Sequence, residues 1–550
     1  MVGTNYREQY EKWLDSPSLS NLDWEELNAV GEDEAEIKSR FYAPLEFGTA
    51  GLRGIMGMGT NRMNVHVVRH ATQAFASVIC REGTKAMDRG VVICYDCRRH
   101  SEEFASEAAM VMAGNGIRVR LFDALRPTPE LSFAIRKFGA IAGINVTASH
   151  NPKEYNGYKV YWSDGAQLPP HHADAIAAAM DELDIFADVR TMSLEQAKKT
   201  GIIEIIGQEV DEDFLSNVMA QSIEPQQVAA VVDELKIVYT PFHGAGYKLV
   251  PEALARLGVK RLYPVAEQMV IDGSFPTVES PNPENPEGFE LAIALARRED
   301  ASLIIGTDPD SDRVGTMARG KNGEFMTITG NQMGVLLLDY IISARRKKGT
   351  LPENAAALKT IVTTEMAREV CEQNGIAITD TFTGFKFMAE KIAQYEQSGE
   401  HEVIFAYEES YGYMIGSFVR DKDAVTASML IAEMAAYYQG MNMTLLDAMD
   451  AMYQKYGYFS EVTCNIVMPG IDGLERMRML MANLRSDHPA EIAGVKVLRM
   501  RDYQSGRVSV AGLGAVGSTE ISGSNVLYFE MNDGTSFIIR PSGTEPKIKV

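Results

Sequence analysis

The feature that most constrains the fold of this chain is a regular alternation of short β-branched apolar runs with longer segments of helical period. The predicted strands are Gly90–Tyr95, Ile117–Phe122, Ile141–Thr147, Lys236–Thr240, Ser302–Thr307, Thr360–Thr364 and Glu402–Tyr407. The predicted helices between them include Glu102–Gly114, Glu252–Leu257, Gly288–Arg297 and Ala424–Gln439. Such alternation is typical of βαβ units on a mostly parallel sheet. It predicts an α/β main body, preceded by an acidic segment of helical pattern.

The pattern changes near Ser460. A short apolar strand at Val462–Val467 and a helical stretch come first, and closely spaced strands follow through Val510, Val526–Met531 and Ser536–Ile539. This order indicates an appended α+β module. Because 550 residues are too many for one ordinary domain, we predict three successive α/β domains with mixed sheets and a C-terminal α+β domain. The predicted ranges are 1–205, 206–325, 326–457 and 458–550.

Charge and cysteine usage narrow the class of protein. The chain has 53 Lys and Arg against 75 Asp and Glu, a net charge of −22. Such a field repels nucleic acid and anionic membranes, so we predict neither as a partner, and an anionic ligand needs local positive groups. The five cysteines are too few and too irregular for a disulfide framework, and the N-terminal sequence lacks a signal-peptide layout. We therefore predict a cytoplasmic protein.

A polar loop after a predicted strand contains the first candidate site. The strand Ile141–Thr147 leads into Ser149, His150 and Asn151, and Lys159 follows shortly after. Ligands of α/β sheets bind at the C-terminal ends of strands, and these neighbours can donate hydrogen bonds to an oxygen anion. From these residues alone, a polar turn with an incidental serine stays an open alternative.

An acidic loop after another predicted strand contains the second candidate site. Asp308, Asp310 and Asp312 alternate along the chain, and carboxylate oxygens are ligands for hard dications. An EF-hand loop is excluded, because it needs Gly where Arg313 stands and Glu where Arg319 stands. A solvated acidic loop is the weaker interpretation, since three close carboxylates repel one another without a cation. We predict Mg²⁺, which commonly completes its coordination with phosphate oxygens.

Two further loops have compositions suited to sugar and phosphate. The loop Tyr407–Gly412 contains Glu408 and Ser410, whose oxygens can bind sugar hydroxyls, although a solvated turn explains it equally well. The loop Arg540–Pro546 combines a guanidinium, two hydroxyls and the backbone N–H groups of a Gly-containing turn. That combination favours phosphate binding over an ordinary Ser-Gly turn.

Two motifs are interpreted as incidental. Gly512–Gly517 matches the dinucleotide-binding fingerprint, but the residues that follow are a poor helix opening. The pair His171-His172 lacks a metal-ligand partner at helical spacing, so we predict a surface turn there. A dinucleotide oxidoreductase therefore stays a minor alternative.

Together these loops resemble those of the α-D-phosphohexomutase superfamily, the phosphoglucomutases and phosphomannomutases. The four motifs are Ser149 with its flanks, Asp308–Arg313, Glu408–Ser410 and Arg540–Thr544, in the order of the family between residues 143 and 545. Supporting matches are Gly48–Gly54, Arg126–Pro129, Thr240–Gly244 and Thr383–Lys386. The first of these, with Glu408–Tyr413, looks like the branch of bacterial phosphoglucomutases and phosphopentomutase-like relatives.

The resemblance implies four domains around a central active cleft, with one loop from each domain lining it. It also implies that Ser149 carries a phosphoryl group, donates it to the substrate to form a bisphosphate, and takes back the other phosphate. The implied catalytic residues are Ser149, His150, Lys159, Arg53 and Arg313, with Lys159 or His150 in proton transfer. The implied Mg²⁺ ligands are Asp308, Asp310, Asp312 and Ser149; the sugar-binding residues are Glu408, Ser410 and Lys386; and the phosphate-binding residues are Arg540, Ser542, Gly543 and Thr544.

The resemblance further implies a magnesium-dependent isomerase of carbohydrate metabolism that interconverts sugar 1-phosphate and 6-phosphate. We predict glucose phosphate as the substrate and a sugar 1,6-bisphosphate as the activator. Mannose or pentose phosphates, or synthesis of a sugar bisphosphate, stay alternatives, as does a phosphatase-like or regulatory protein that retains only the fold. The oligomeric state is left open, since the sequence shows no coiled-coil seam. Family members usually continue for some tens of residues past the phosphate motif, so whether the C-terminal domain is shortened is left open.

Overall fold

The computed structural model describes residues 5–468, 471–541 and 547–550. Its N-terminal segment is helical, as the sequence predicts, and consists of α1 (Tyr6–Leu14), α2 (Asn21–Ala29) and α3 (Glu34–Phe41). Asn5, Ser20 and Asp33 begin these helices by accepting hydrogen bonds from backbone N–H groups that would otherwise lack a partner. Trp13 packs edge to face on Phe41, with ring centroids 5.7 Å apart. Both rings belong to the same core as the first sheet.

The first sheet has parallel strands at its centre. Its strands are β1 (Leu52–Ile55), β2 (Val91–Tyr95), β3 (Val119–Phe122), β4 (Ala142–Val146), β5 (Tyr155–Trp162) and β6 (Ile203–Ile206), in the order β1-β5-β4-β2-β3-β6. The helices around it are α4 (Val65–Arg81), α5 (Thr84–Arg89), α6 (Ser101–Gly114), α7 (Thr128–Phe138), α8 (Pro170–Glu182) and α9 (Leu194–Thr200). Strands β4, β2, β3 and β6 run parallel, whereas β5 and β1 are antiparallel to their neighbours. Every residue of β2 and β4 is buried, as expected for central strands between helices.

The second sheet is also mixed. Its strands are β7 (Lys236–Thr240), β8 (Arg261–Pro264), β9 (Leu303–Thr307), β10 (Val314–Arg319) and β11 (Phe325–Ile328), in the order β11-β10-β9-β7-β8. The helices in this part are α10 (Gln208–Met219), α11 (Gln226–Ala230), α12 (Gly246–Leu257) and α13 (Glu290–Glu299), with a 3₁₀ turn at Pro286–Phe289. Strand β7 is parallel to β8 and β9, and β9 is antiparallel to β10. The β9–β10 connection is therefore a hairpin, and it contains the acidic loop.

The third sheet has the strand order β13-β12-β14-β15. Its strands are β12 (Ala355–Thr360), β13 (Ala377–Thr381), β14 (Glu402–Glu408) and β15 (Gly412–Ile415). The helices are α14 (Gly330–Lys348), α15 (Met366–Asn374), α16 (Phe385–Ser398), α17 (Ala424–Gln439) and α18 (Leu445–Tyr456). The predicted strand at Thr360–Thr364 is wrong. The strand beside β14 contains Ala355–Leu358 instead. These residues have a low intrinsic β-propensity, but their burial and their backbone pairing with β14 outweigh it.

The C-terminal part is rich in antiparallel strands. They are β16 (Asn465–Val467), β17 (Glu491–Ile492), β18 (Val495–Asp502), β19 (Arg507–Val510), β20 (Gly514–Ser518), β21 (Leu527–Met531), β22 (Ser536–Pro541) and β23 (Lys547–Lys549), accompanied by α19 (Ile471–Ser486). Strand order is β16-β23-β22-β21-β18-β19-β20, with β17 beside β18. Met481, Leu527 and Phe529 are buried in the core of this part. The glycine-rich run Gly512–Gly517 enters the exposed strand β20 at Gly514, and the next element is another strand, so the run is not a dinucleotide-binding turn.

The chain divides into two compact units. One contains residues 1–359, 366–379 and 384–457, and the other contains 360–365, 380–383 and 458–550. The predicted fold class, three α/β domains followed by a strand-rich domain, is confirmed, whereas the predicted borders at 205, 325 and 457 stay predictions. His171 and His172 lie in the first turn of α8 rather than in a surface turn, and the ring centroids of His172 and Trp162 are 3.9 Å apart. No helix in the described part of the chain is long and apolar enough to span a membrane.

Candidate active site

Three candidate loops follow the C-terminal ends of β4, β9 and β14, which belong to the first, second and third sheets. Each loop contains a non-glycine residue in the left-handed region: Ser149 with φ 51°, Ser311 with φ 55° and Tyr411 with φ 66°. Such backbone conformations are strained and are frequent at functional sites. All three loops lie in the larger compact unit.

Ser149 contacts the acidic loop directly. Only 4% of its surface is exposed. Its N–H donates to Thr147 Oγ1 at 2.8 Å, which holds the turn after β4. Its hydroxyl donates to Asp308 Oδ2 at 2.8 Å and lies 3.2 Å from His150 Nδ1. The structure thus brings together three residues that the sequence analysis placed in one site.

Arg98, a residue that the sequence analysis did not select, fixes the backbone of the Ser149 loop through hydrogen bonds. The guanidinium donates to the carbonyl oxygens of Ser149 at 2.6 Å, Pro152 and Tyr155 at 2.9 Å each, and Asn151. The Arg98 side chain is fully buried. Because a guanidinium presents several donors in a rigid plane, it can hold several backbone positions at once.

The acidic loop gathers three carboxylates at one point. Oxygens of Asp308, Asp310 and Asp312 all lie within 4.8 Å of one another, and all three residues are buried. Asp308 Oδ1 accepts hydrogen bonds from the N–H groups of Asp312 at 3.0 Å and Arg313 at 2.9 Å. The backbone therefore folds around the first aspartate and directs the other two to the same side.

The acidic loop has the features of a divalent cation site. Asp310 Oδ1 and Asp312 Oδ1 are buried and have no hydrogen-bond partner among the described residues. Burial and the two neighbouring carboxylates raise the pKa of Asp308 well above its ordinary value. Such a concentration of buried carboxylate oxygens fits a hard dication such as Mg²⁺.

Lys159 occupies the edge of this cluster. Its ammonium donates to Asp310 Oδ2 at 2.6 Å and lies 3.4 Å from Asp312 Oδ2. Burial alone would lower the pKa of Lys159, but Asp310 and Asp312 raise it above its ordinary value. The side chain is therefore a fixed positive charge close to Ser149.

Two arginines and a histidine complete the surroundings of Ser149. Arg53 donates to Asn151 Oδ1 at 3.0 Å, and Arg313 donates to Glu284 Oε1 at 2.9 Å. Burial, with Arg313 and Arg53 nearby, holds the pKa of His150 well below its usual range. The chain has a net charge of −22, yet Arg53, Arg98, Lys159 and Arg313 gather around the Ser149 loop and supply the local positive groups that an anionic ligand requires.

The predicted sugar-binding residues lie around the third sheet. Glu408 is nearly buried and accepts a hydrogen bond from the N–H of Gly384 at 2.8 Å. Burial raises the pKa of Glu408. Ser410 is half-buried, and Lys386 donates to Thr49 Oγ1 at 2.5 Å. Lys386 therefore joins the third sheet region to the glycine-rich loop before β1.

Lys422 is a second residue that the sequence analysis missed. Its ammonium lies 2.9 Å from Asp421 Oδ1 and 3.2 Å from Asp312 Oδ2. Burial would lower the pKa of Lys422, but Asp312, Asp421 and Glu408 raise it. The stem passes over Gly412, where a Cβ would lie 2.1 Å from Lys422 Cδ, so only glycine fits. Lys422 thus adds a positive charge between the acidic and sugar loops.

The predicted phosphate-binding loop is described only in part. Arg540 lies on β22, opposite Lys549 of β23, in the smaller compact unit. Ser542, Gly543 and Thr544 lie outside the described residues. Phosphate binding by these four residues stays a prediction.

Both missed residues had a local signal in the sequence. Arg98 lies shortly after the end of β2, as Ser149 does after β4, and Lys422 stands in a charged cluster before the apolar helix α17. Polar residues after buried strands are candidates for function in α/β folds. The partners that place them in the site, the carbonyl groups of the Ser149 loop for Arg98 and Asp312 for Lys422, are however distant in sequence, so composition alone did not distinguish them from surface loops.

Comparisons with known proteins agree with this geometry. Three family models match successive parts of the chain: the phosphoglucomutase/phosphomannomutase α/β/α domain I at residues 44–185, domain II at 212–321 and domain III at 329–456. A phosphoglucomutase of Staphylococcus epidermidis is 36% identical over 509 residues, which cover 92% of this chain and 90% of that protein. A phosphoglucomutase of Staphylococcus aureus is 35% identical over 525 residues, covering 94% and 91%.

Solved structures share the fold at lower identity. A putative phosphomannomutase from Thermus thermophilus matches with a TM-score of 0.66 at 21% identity, covering 91% of this chain and 96% of that one. A phosphoglucomutase/phosphomannomutase family protein from Burkholderia thailandensis matches with a TM-score of 0.64 at 19% identity, covering 92% of each chain. With the three matched domains and the curated relatives, these similarities show that the chain belongs to the phosphoglucomutase/phosphomannomutase family of the α-D-phosphohexomutase superfamily.

Proposed function

We propose that this phosphohexomutase interconverts glucose 1-phosphate and glucose 6-phosphate through a phosphorylated Ser149 and a glucose 1,6-bisphosphate intermediate. The observation that carries the proposal is the hydrogen bond from Ser149 Oγ to Asp308 Oδ2 at 2.8 Å, which joins the strained serine loop to a three-carboxylate cluster. Glucose is favoured because the curated relatives at 35–36% identity are named phosphoglucomutases.

Asp308, Asp310, Asp312 and a phosphoryl oxygen on Ser149 would hold Mg²⁺. When bound, the ion offsets the charge of the phosphoryl group and stabilises the charge that develops during transfer. The chain itself supplies a rigid frame for these ligands, since backbone N–H groups bind Asp308 and Lys159 binds Asp310.

The positive side chains around Ser149 position the anionic groups. A phosphoserine carries about −1.5 to −2 charges at neutral pH. Arg53, Lys159 and Arg313 surround the loop, and burial strengthens their attraction for a phosphate. His150 lies within hydrogen-bond distance of Ser149 Oγ, whereas the Lys159 ammonium binds Asp310. These are the two candidates for moving a proton during transfer.

We further propose that Glu408, Ser410 and Lys386 bind the sugar, and that Arg540, Ser542, Gly543 and Thr544 bind the phosphate that is not being transferred. The support is the match of each residue to the motif of the family. A sugar 1,6-bisphosphate then acts as activator, because it can phosphorylate Ser149 and leave as a monophosphate.

The test measures transfer of phosphoryl from labelled glucose 1,6-bisphosphate to the full-length protein. We expect one group per chain, located at Ser149 by peptide mapping, and none in Ser149→Ala, which should also lose mutase activity by several decades. Ser216→Ala, an exposed serine on α10, is the matched control and should behave as wild type. Full activity of Ser149→Ala would overturn the assignment.

A panel of substrates tests the choice of sugar. Glucose 1-phosphate, mannose 1-phosphate and ribose 1-phosphate are compared by kcat/KM, with release of inorganic phosphate measured in parallel. We expect the highest kcat/KM for glucose 1-phosphate and negligible phosphate release. Preference for mannose or ribose phosphate would change the substrate assignment, and dominant phosphate release would favour a phosphatase.

A further inference from the structure

Thr128 connects the first sheet domain to the acidic loop. It is the first residue of α7 and is fully buried. Its N–H donates to the Asp310 carbonyl oxygen at 2.8 Å, and its hydroxyl donates to Asp310 Oδ2 at 2.7 Å. One residue therefore binds both the backbone and the side chain of a proposed metal ligand.

The direction of the Thr128 hydroxyl is set by Asn145. The Asn145 side-chain N–H donates to Thr128 Oγ1 at 2.7 Å. A hydroxyl has a single proton, so with Asn145 as its donor the Thr128 proton points to Asp310. Asn145 lies on β4, the strand that leads into Ser149, and it is fully buried as well. The chain of hydrogen bonds thus runs from the serine strand to the acidic loop.

These contacts determine which oxygen of Asp310 is available. Oδ2 accepts hydrogen bonds from Thr128 and Lys159, whereas the buried Oδ1 has no hydrogen-bond partner among the residues described. The N-terminal position of Thr128 on α7 also stabilises an ionised Asp310.

We propose that Thr128 is a positioning residue for the divalent cation. Its hydroxyl occupies Asp310 Oδ2 and so presents Oδ1 to the ion, and Asn145 keeps the hydroxyl in this orientation. The inference rests on the proposed metal site of the previous section. It assigns part of the cation affinity to a residue that does not touch the cation.

The test is binding of Mn²⁺ alone to the full-length protein, stripped of metal by a chelator and measured by electron paramagnetic resonance. Thr128→Val keeps the shape of the side chain and removes the hydroxyl. Because hydrogen bonds to charged groups are strong, we expect binding to weaken about 10- to 100-fold. Thr128→Ser retains the hydroxyl and should restore affinity to within about threefold of wild type.

Two controls separate the outcomes. Thr72→Val removes an equally buried hydroxyl, which donates to Val68 O, and should leave Mn²⁺ affinity unchanged. Asp310→Asn removes a proposed metal ligand and should abolish the Mn²⁺ signal of this site, which distinguishes that signal from nonspecific binding. If Thr128→Val does not fold, as judged by its unfolding transition, Thr128→Ala carries the same prediction.

The outcomes distinguish this inference from the proposed function. Wild-type affinity in the Thr128→Val or Thr128→Ala variant, or an equal loss in Thr72→Val, overturns the role of Thr128 and leaves the metal site intact. If the wild-type protein binds no Mn²⁺, or if Asp310→Asn removes none of the bound Mn²⁺, both the metal site and this inference are wrong. Weaker binding with rescue by serine supports the proposal.

Discussion

At the scale of single residues, the serine loop depends on Arg98. The strained φ of Ser149 persists because the guanidinium fixes the carbonyl groups of Ser149 itself and of Asn151, two residues later. The ring of Phe275 covers this guanidinium, with 5.2 Å between the Arg98 Cζ atom and the ring centroid. Neither contact reaches the reacting oxygen, but together they determine where that oxygen lies.

Arg98→Lys is expected to slow phosphoryl transfer. A lysine ammonium can reach one or two of the four carbonyl groups, so the loop relaxes and Ser149 Oγ moves from its position beside Asp308. We expect kcat to fall about 10- to 100-fold with little change in KM. Arg136→Lys, an exposed arginine on α7 that binds one carbonyl, is the control and should retain wild-type kcat. An unchanged kcat in Arg98→Lys would contradict the role given to this residue.

At the scale of elements, polar side chains can be buried where the backbone groups of helix ends and turns form hydrogen bonds with them. Helix α17 is buried along almost its whole length and begins beside the acidic loop, where the N–H of Ala424 donates to Ser311 O. Asp423 caps this helix by accepting from the N–H groups of Val425 at 2.9 Å and Thr426 at 3.0 Å. The cap also fixes the segment that contains Lys422.

The Asp423 cap makes stability depend on pH. Burial raises the pKa of Asp423 to about 6, whereas an unfolded aspartate titrates near 3.9. Between these values the folded protein holds a proton that the unfolded chain releases, so stability falls as the pH rises from about 4 to about 6. Asparagine is also a good capping residue but does not titrate, so Asp423→Asn should not lose stability over this pH range. We therefore expect it to be more stable than wild type above pH 6, by up to about 3 kcal/mol.

Denaturant unfolding at several pH values checks the Asp423 prediction. The difference between Asp423→Asn and wild type should grow from pH 4 to pH 6 and then stay constant. Asp33→Asn, at the exposed start of α3, is the control and should follow the wild-type dependence. A difference that does not vary with pH would show that the Asp423 carboxyl is not the titrating group.

At the scale of the whole molecule, the three α/β regions share one compact unit. Glu433 on α17 is buried and helps to hold two of these regions together. Its carboxylate accepts from the N–H groups of Ile223 at 2.9 Å and Glu224 at 2.8 Å, and from Tyr340 OH at 2.9 Å. It thereby joins the connection between α10 and α11 to the helices of the third sheet.

Glu433→Gln is expected to destabilise the larger unit. The N–H groups of Ile223 and Glu224 and the Tyr340 hydroxyl all donate to Oε1, so in the neutral glutamine these three bonds lose their charge assistance, and the amide N–H₂ group replaces the oxygen that accepts from Ser222. We expect the free energy of unfolding to fall by about 2–4 kcal/mol. Denaturant titration measures it, with Glu372→Gln on the exposed side of α15 as the control. A loss equal to that of the control would show that Glu433 does not stabilise the unit.

Much of the fold was predictable from local pattern. Buried strands such as β2, β4 and β9 are mostly apolar, because their two faces are both covered. Helix α17 has the predicted bounds Ala424–Gln439, because burial on nearly all sides leaves a similarly clear apolar signal. The strand Ala355–Thr360 was not predictable in this way. Alanines carry little strand preference, and it was the neighbouring strand β14 that made this segment a strand.

For the site, the sequence by itself determined the reactive groups, because Ser149 and the alternating aspartates stand in short runs after strands. The tertiary structure alone decided how these groups are held. Ser149 and Asp308 are 159 positions apart, and Thr128 and Asp310 are 182 apart. Hydrogen bonds act over about 3 Å in space and leave no periodic trace along a chain. The contacts that make Arg98 and Lys422 parts of the site, and the role of Thr128 within the motif Arg126–Pro129, therefore became visible only once the sheets were packed.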